Sequence, residues 1–497
     1  MYLGLDIGTS GIKATIISAK GEILAHSHRT LTAHGIQEKK REIDPAEVYD
    51  KLFEVIRETI GCCPDVKIEL ITIAGLGEAV IPISHEGMPL SYSIVGGDPR
   101  GAEQLNQISE KIGCEKLVSI TGLNLSYIYS LNKILYTKEC CPEVHKKTWK
   151  YLCFTDYVGY ILTGETKIDY SMASRTMAYD ISRNEWSKEI LSAVDISPDY
   201  FSQPVPGGMI IGDILPSVKE KMKVSYNIPV MVGSHDHIFN ALGSGVVESD
   251  SCSNVVGTTE GFTAILEKRL DNKTIMQNQI SCEPFVWGGL YNTVAWHNAS
   301  GAMQNWFVDT FYRDSGKTRS QILHTLDHSV SSSPSLLMVL PHFAGSTVRY
   351  MDEKAKGAII GLTAVTTREE IFKAVLEGAV YECRVILDEI TCAGISLDKI
   401  VVSGGGSKSP VWMQLKANIL GRQIYKSAYP DTGVFGGAIL GSVVLKHYSN
   451  MKEAVKHMIK SPEMIEPDLS HYRDYQERYL EYKELYTKLK DLNHKLK

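Results

Sequence analysis

Apolar positions near the start of the chain come in short blocks separated by small or polar turns. The first block, Met1-Tyr-Leu-Gly-Leu5, ends in an acid, Asp6, and a second runs from 12 to 17. Between them lies Gly8-Thr-Ser-Gly11. Two apolar runs flanking a glycine-bounded turn predict a β-hairpin, and Lys20-Gly21 turns the chain again into Ile23-Leu-Ala25. The pattern then changes. Asp44-Pro-Ala-Glu47 offers an N-cap, a proline at the first helical position and an acid at the third, which predicts a helix through Ile60. Residues 66–73 read as a buried strand, consistent with the apolar runs of a mixed sheet. Residues 79–83 and 91–95 flank a His85-Glu-Gly87 turn, and 130–139 and 156–162 have helical spacing. Ile228-Pro-Val-Met-Val232 is a short strand that stops at Gly233-Ser234.

Further on, Ser253-Asn-Val-Val-Gly-Thr-Thr-Glu-Gly-Phe-Thr-Ala-Ile265 repeats the opening theme of strand, small-residue turn and strand. Residues 368–391 predict a long helix. A strand at 399–402 leads into Gly404-Gly-Gly406 and a helix at 410–420, and Gly436-Gly-Ala-Ile-Leu-Gly441 starts another helix whose glycines permit close packing. In the last segment, 472–497, Tyr475, Tyr479, Tyr482, Tyr486 and Leu489 recur at steps of three or four. Too few heptads are present for a coiled coil, so this helix is expected to pack on its own domain. A homodimer stays open, and Lys488, Lys490, Lys495 and Lys497 form a solvated face.

With 497 residues the chain is too long for one core and suits two large domains. The boundary is expected near 246–251, dividing the chain into 1–247 and 248–497. A net charge of −6 argues against a nucleic-acid surface. No apolar run is long enough to span a bilayer, and the opening strand replaces any leader pattern, so the expected compartment is the cytoplasm. Ten cysteines without a C-x-x-C pair argue against a zinc ribbon and for buried free thiols.

Both hairpins carry small residues whose backbone N–H groups and hydroxyls can approach phosphate oxygens. A plain turn without ligand would look the same at either one. Asp6 sits where a strand delivers a carboxylate to a Mg²⁺–phosphate cluster. Two such hairpins in one chain resemble the actin, hexokinase and Hsp70 superfamily. The resemblance implies an α/β fold of two ribonuclease-H-like domains with a cleft between them. Later motifs narrow it to the FGGY carbohydrate kinases. Gly233-Ser-His-Asp-His237 resembles the run that supplies that family's catalytic base, here Asp236, with Ser234 in place of a glycine. Asp236 also suits a helix N-cap. His235 and His237 are too few for a zinc site; His237 is expected in the sugar pocket. Ile73-Ala-Gly-Leu-Gly-Glu78 resembles the loop that reaches the substrate, and Glu78 suits vicinal hydroxyls, although an exposed loop acid fits as well. Asp98 and Arg100 in Val95-Gly-Gly-Asp-Pro-Arg100 match a substrate-side run whose Trp and Asn are replaced by Gly96 and Gly97.

In the second half, Gly404-Gly-Gly-Ser-Lys-Ser-Pro-Val-Trp-Met-Gln414 resembles the family's C-terminal signature. Leu340-Pro-His-Phe-Ala-Gly345 and Ala355-Lys-Gly357 match a further block, with Ser346-Thr347 in place of its usual Glu-Arg. The resemblance spans Met1 to about Gly441. It implies an ATP-dependent kinase whose phosphates lie against Asp6, Gly8, Thr9, Ser10, Lys13, Gly257, Thr258 and Thr259. Gln304, Gly404, Gly405, Gly406 and Ser407 border the nucleotide, and Asp6 reaches Mg²⁺ largely through water. Closure of the two domains should exclude water. A ketopentose or ketohexose is the expected substrate, with polyols and sugar acids as alternatives. A sugar-binding regulator without a base is disfavoured by Asp236, a chaperone-like ATPase by the sugar loop. A dinucleotide oxidoreductase is disfavoured because the first glycine turn enters a strand rather than a helix.

Overall fold

The computed structural model describes residues 1–32, 34–35 and 40–496; Lys497 lies outside them. Two seven-stranded mixed sheets form its frame. The first is built from β1 (Tyr2–Ile7), β2 (Gly11–Ile17), β3 (Ile23–Thr30), β4 (Leu70–Gly75), β5 (Ile210–Asp213) and β6 (Pro229–Met231), in the order β5-β6-β4-β1-β2-β3. The pair Ser234–His235 adds to β4 off this path. The second sheet holds β7 (Ser251–Val256), β8 (Glu260–Leu266), β9 (Glu283–Pro284), β10 (Tyr291–His297), β11 (Lys399–Ser403), β12 (Ile424–Lys426) and β13 (Glu463–Ile465). Its order is β9-β10-β8-β7-β11-β12-β13.

The two orders superpose. In each sheet an antiparallel hairpin (β1–β2, β7–β8) is flanked by a strand parallel to its first arm (β4, β11). A second parallel strand follows (β6, β12), then an antiparallel edge (β5, β13). The duplicated α/β architecture expected from the two hairpins is therefore present.

Helix α1 (Pro45–Gly61) starts where the sequence predicts, with Asp44 accepting from Ala46 N–H at 2.9 Å. α2 (Ser130–Cys140) and α3 (Phe154–Thr163) follow. The strand expected at 66–73 enters the sheet only at Leu70. Before that, Glu69 N–H bonds Met1 O and Ile68 N–H bonds the Tyr226 hydroxyl, so ladder pairing begins with Tyr2. α4 (Asp236–Gly243) and α5 (Gly301–Phe311) border the cleft side, and α6 (Arg368–Cys392) is closed by a Thr367–Glu370 capping box. α7 (Pro410–Leu420) and α8 (Gly433–Val444) complete the second half.

α4 and α8 cross almost backbone to backbone. A Cβ at Gly243 would lie 1.9 Å from Thr432 O, and one at Gly436 would lie 2.0 Å from Phe239 O. α8 lies between β12 and β13 of the second sheet in sequence yet packs on β1 and β4 of the first. The last helix, α9 (Tyr472–Lys495), buries its tyrosines on its own chain. Their hydroxyls donate to Glu377 (3.3 Å), Asp388 (2.6 Å), Glu382 and Asp352 (2.8 Å). One expectation fails: the cysteines are free, but only Cys153, Cys252, Cys282 and Cys383 are buried, and five are exposed at turns and helix ends.

Candidate functional site

The first hairpin presents charge. Asp6 stands near the end of β1, and Lys13 on β2 is its cross-strand partner, with Nζ 3.5 Å from Asp6 Oδ2. Lys13 also reaches Asp431, 2.5 Å away on the loop before α8. Burial pushes Asp6 up to about 7 against the pull of Lys13, with Asp431 and Asp236 adding negative potential. The tip is closed by Gly8 N–H to Gly11 O at 2.9 Å, which leaves Thr9 and Ser10 exposed. A Cβ at Gly11 would meet Arg29 O at 2.7 Å, so this glycine is fixed by the next strand.

The second hairpin is braced rather than charged. Gly257 N–H closes the tip on Thr259 O at 3.0 Å, and Thr258 and Thr259 are exposed. From the start of α5, Gly301 N–H bonds Gly257 O and Ala302 N–H bonds Thr258 O, each at 3.0 Å. Gln304 lies on the same helix, half-buried. Beside the tip runs the glycine turn. Gly404 has φ 91° and passes Val256 so closely that a Cβ would lie 2.5 Å from its carbonyl oxygen. Gly405 faces open space, whereas Gly406 packs on Val256 and Trp412. Ser407 is buried, and its hydroxyl donates back to Gly404 O at 2.7 Å. It shapes the turn.

Asp236 lies between the sheets. The short strand Ser234–His235 ends at β4, and Asp236 is the first residue of α4, not its N-cap. Its Oδ1 accepts from His237 N–H at 2.7 Å. Burial pushes its carboxyl up to about 6 against His237 N–H, Arg175 and Lys13. Arg175 follows the helix Tyr170–Ser174, which Asp169 caps. It is 4% exposed and bridges the halves: Nη1 donates to Glu283 Oε1 at 2.7 Å, and Nη2 donates to Glu78 Oε1. Glu78 is thus a paired, largely buried acid and not an exposed loop acid. It holds a left-handed backbone, φ 67°, which is strained for a non-glycine residue. His237 packs over Gly261 of β8, where a Cβ would lie 2.3 Å from its Cε1. Burial and Arg175 lower His237 to about 4 and His235 well below its ordinary value, so both imidazoles are neutral. Among the described residues no third ligand group joins these two imidazoles as a metal set. Four buried polar atoms here have no partner: Arg175 Nε, His235 Nδ1, His237 Nδ1 and Glu283 Oε2.

Asp98 and Arg100 are engaged with the protein itself. Asp98 is fully buried and accepts from Arg100 Nε (2.8 Å), Arg100 Nη2 (2.7 Å) and Arg41 N–H (2.7 Å). Arg100 also donates to Glu42 at 2.6 Å, and Lys133 bonds the carbonyls of both Asp98 and Arg100. The pair frames the Gly96–Gly97 loop, and Gly96 lies over Glu78: a Cβ there would be 3.1 Å from Glu78 Oε2.

Two family models account for most of this chain. Residues 1–243 match the N-terminal domain of the FGGY family of carbohydrate kinases, and 252–445 match its C-terminal domain. The chain belongs to the FGGY family of carbohydrate kinases. Its curated relatives include the xylulose kinase of Staphylococcus epidermidis, 26% identical over 484 residues, covering 96% of this chain and 95% of that one. The gluconokinase of Bacillus subtilis is 24% identical over 469 residues, covering 92% and 90%. Among solved structures, a ligand-bound xylulose kinase from Lactobacillus acidophilus superposes with a TM-score of 0.88 at 21% identity, covering 98% of each chain. The gluconate kinase of the same organism gives 0.87, also at 21% identity and 98% of each chain.

This FGGY kinase is an ATP-dependent sugar kinase. None of its described helices is long and apolar enough to cross a membrane. Around its cleft the structure adds Arg175, Glu283 and Asp431, which sequence reading passed over. The one available signal was an arginine inside the small-residue run Met172-Ala-Ser-Arg-Thr176. Glu283 and Asp431 carried none, since their partners lie over a hundred residues away in the chain.

Proposed function

We propose that this chain transfers the γ-phosphate of ATP to a hydroxyl of a ketopentose or ketohexose, with Asp236 as the base. The supporting observation is the partnerless polar cluster beside Asp236. Buried N and O atoms in native proteins are almost always hydrogen-bonded. Four orphaned atoms at one spot suit a ligand rich in hydroxyls. A carboxylate raised to about 6 is ionised at neutral pH yet basic enough to take a hydroxyl proton as phosphoryl transfer proceeds. Glu78 and Glu283, oriented by Arg175, would accept from sugar hydroxyls, and neutral His237 would offer or accept one bond. Asp98 and Arg100 would act by holding the Gly96–Gly97 loop. On the nucleotide side, Lys13 and the backbones at Gly8, Thr9, Ser10, Gly257, Thr258 and Thr259 would hold the phosphates. Gln304 and the turn at Gly404, Gly405, Gly406 and Ser407 would border the nucleoside. Asp6, with hard oxygen donors, fits a Mg²⁺ ion, which when bound would neutralise phosphate charge. The same reading divides the chain into domains 1–247 and 248–497.

A second reading, a sugar acid, has its own support. Arg41 reaches over Gly97, where a Cβ would lie 3.0 Å from its Nη1, and a guanidinium there suits a carboxylate. The test is ADP release with Mg²⁺–ATP over a panel of ketoses, polyols and aldonates. A ketose is expected to raise release far above the blank. A response to aldonates alone moves the assignment to the second reading, and no response to any compound overturns both.

A further inference from the structure

A buried ion pair lies directly beneath the second hairpin. Glu260 opens β8, immediately after Thr259. Its side chain is fully buried and receives Nζ of Lys416 from α7, a side chain only 1% exposed. Asn254 of β7 completes the pair: its Nδ2 donates to Glu260 Oε1 at 2.9 Å, and its Oδ1 accepts from Lys416 Nζ at 2.6 Å. Cys383 of α6 donates Sγ–H to Glu260 Oε1 at 3.1 Å, and Ser300 donates its hydroxyl to Oε2 at 3.3 Å.

Stability alone does not account for this arrangement. Taking two charges out of water costs about as much as their attraction returns, and apolar residues of similar volume fill such sites as well or better. What the pair does supply is geometry. Glu260 is covalently next to the exposed Thr258-Thr259 tip. Ser300 directly precedes the α5 backbone that holds the tip carbonyls. Lys416 sits on α7, which starts just after the glycine turn at 404–406. One contact therefore fixes the hairpin, the start of α5 and the glycine turn relative to one another. Donor atoms of Glu260, His297 and Cys383 also lie within 4.8 Å of each other, a spacing that would suit a metal ion. Lys416 Nζ stands among them, bonded to Glu260 and 3.7 Å from Cys383 Sγ.

We propose that Lys416 is a positioning residue for the nucleotide: a cation tethered to α7 that sets the second hairpin against the glycine turn. This inference rests on the kinase reading, since it requires a nucleotide between those two elements.

The test is titration of ADP with Mg²⁺ by calorimetry into the parent protein, Lys416→Met and Glu260→Gln/Lys416→Met, alongside thermal midpoints. Lys416→Met strands a buried carboxylate and should lose thermal stability. The double variant removes both charges and should regain the parent midpoint to within a few degrees. If the pair only stabilises, ADP affinity returns with the midpoint. If it positions, the refolded double variant still binds ADP about tenfold more weakly than the parent. Binding within about twofold of the parent overturns the proposal. A parent that binds no ADP overturns the kinase reading as well, an outcome distinct from equal binding by parent and double variant.

Discussion

The two hairpins share a backbone plan and differ in where their charge lies. The first presents charge: Asp6, Lys13 and Asp431 form a cluster no more than one-third exposed, while Gly8 N–H closes the tip on Gly11 O and Leu31 N–H holds Ser10 O at 3.0 Å. The second is mechanical, with its tip carbonyls pinned by α5 and its base sealed over Glu260 and Lys416. A duplicated fold need not duplicate its chemistry. One hairpin presents its charge beside the tip, and the other keeps its charge buried beneath it.

That contrast can be broken most directly on the charged side. Asp236→Asn keeps the shape and removes the proton acceptor, so kcat should fall by about 10²–10⁴-fold while ADP still binds. Turnover within a few-fold of the parent would take Asp236 out of the chemistry.

The same carboxylate predicts a stability effect of known sign. Its folded pKa, about 6, lies above its ordinary 3.8, so the folded state holds the proton longer than the unfolded chain. Its contribution is fully present below about pH 4 and is lost as pH rises through 6. Near neutrality the parent should be less stable than Asp236→Asn by up to about 3 kcal/mol, with the gap closing in acid. Denaturant melts at pH 4 and pH 7.5 check this. In the parent, kcat/KM should fall as pH drops below about 6, because the protonated acid cannot accept a proton.

A matched pair of glycine substitutions sharpens the comparison. A Cβ at Gly301 would lie 2.6 Å from Gly257 O, inside the brace of the second hairpin. Gly301→Ala should raise the KM for ATP by about tenfold. At Gly8 the nearest protein atom would be 3.5 Å away, an ordinary contact, so Gly8→Ala should leave stability within about 0.5 kcal/mol of the parent, whereas Gly301→Ala should lose more. Equal losses of stability would mean that the two tips are held alike. The smallest effect is expected at Asp431. Its pair with Lys13 is one-third exposed, so Asp431→Asn should change stability by less than about 1 kcal/mol, and less still in high salt.

What the sequence made legible was local. Both hairpins, the Asp44 cap and the long α6 follow from residues within a few positions of each other. So does the tyrosine face of α9, since its spacing alone marks a buried stripe. The substrate-side cluster was half legible. Glu78 and Asp236 stand at strand ends, where a motif can be read. Arg175 and Glu283 meet them only through the packing of the two halves, and no spacing encodes that. Asp98 and Arg100 were recognisable as a motif, yet their bonding to Glu42, Arg41 and Lys133 turned them inward. Pattern identifies which residues matter sooner than it identifies which way they face.

The crossing of α4 and α8 carries a mechanical consequence. Helices that interlock through side chains behave like meshed gears, and turning one against the other means lifting every tooth. Here glycines meet carbonyls directly at Gly243, Thr432, Phe239 and Gly436. Such a joint has no side chains to give way, so it sets the spacing of the two helices tightly. One added methyl group at Gly436 would do more than weaken packing, because it would act as a wedge that forces α4 and α8 apart.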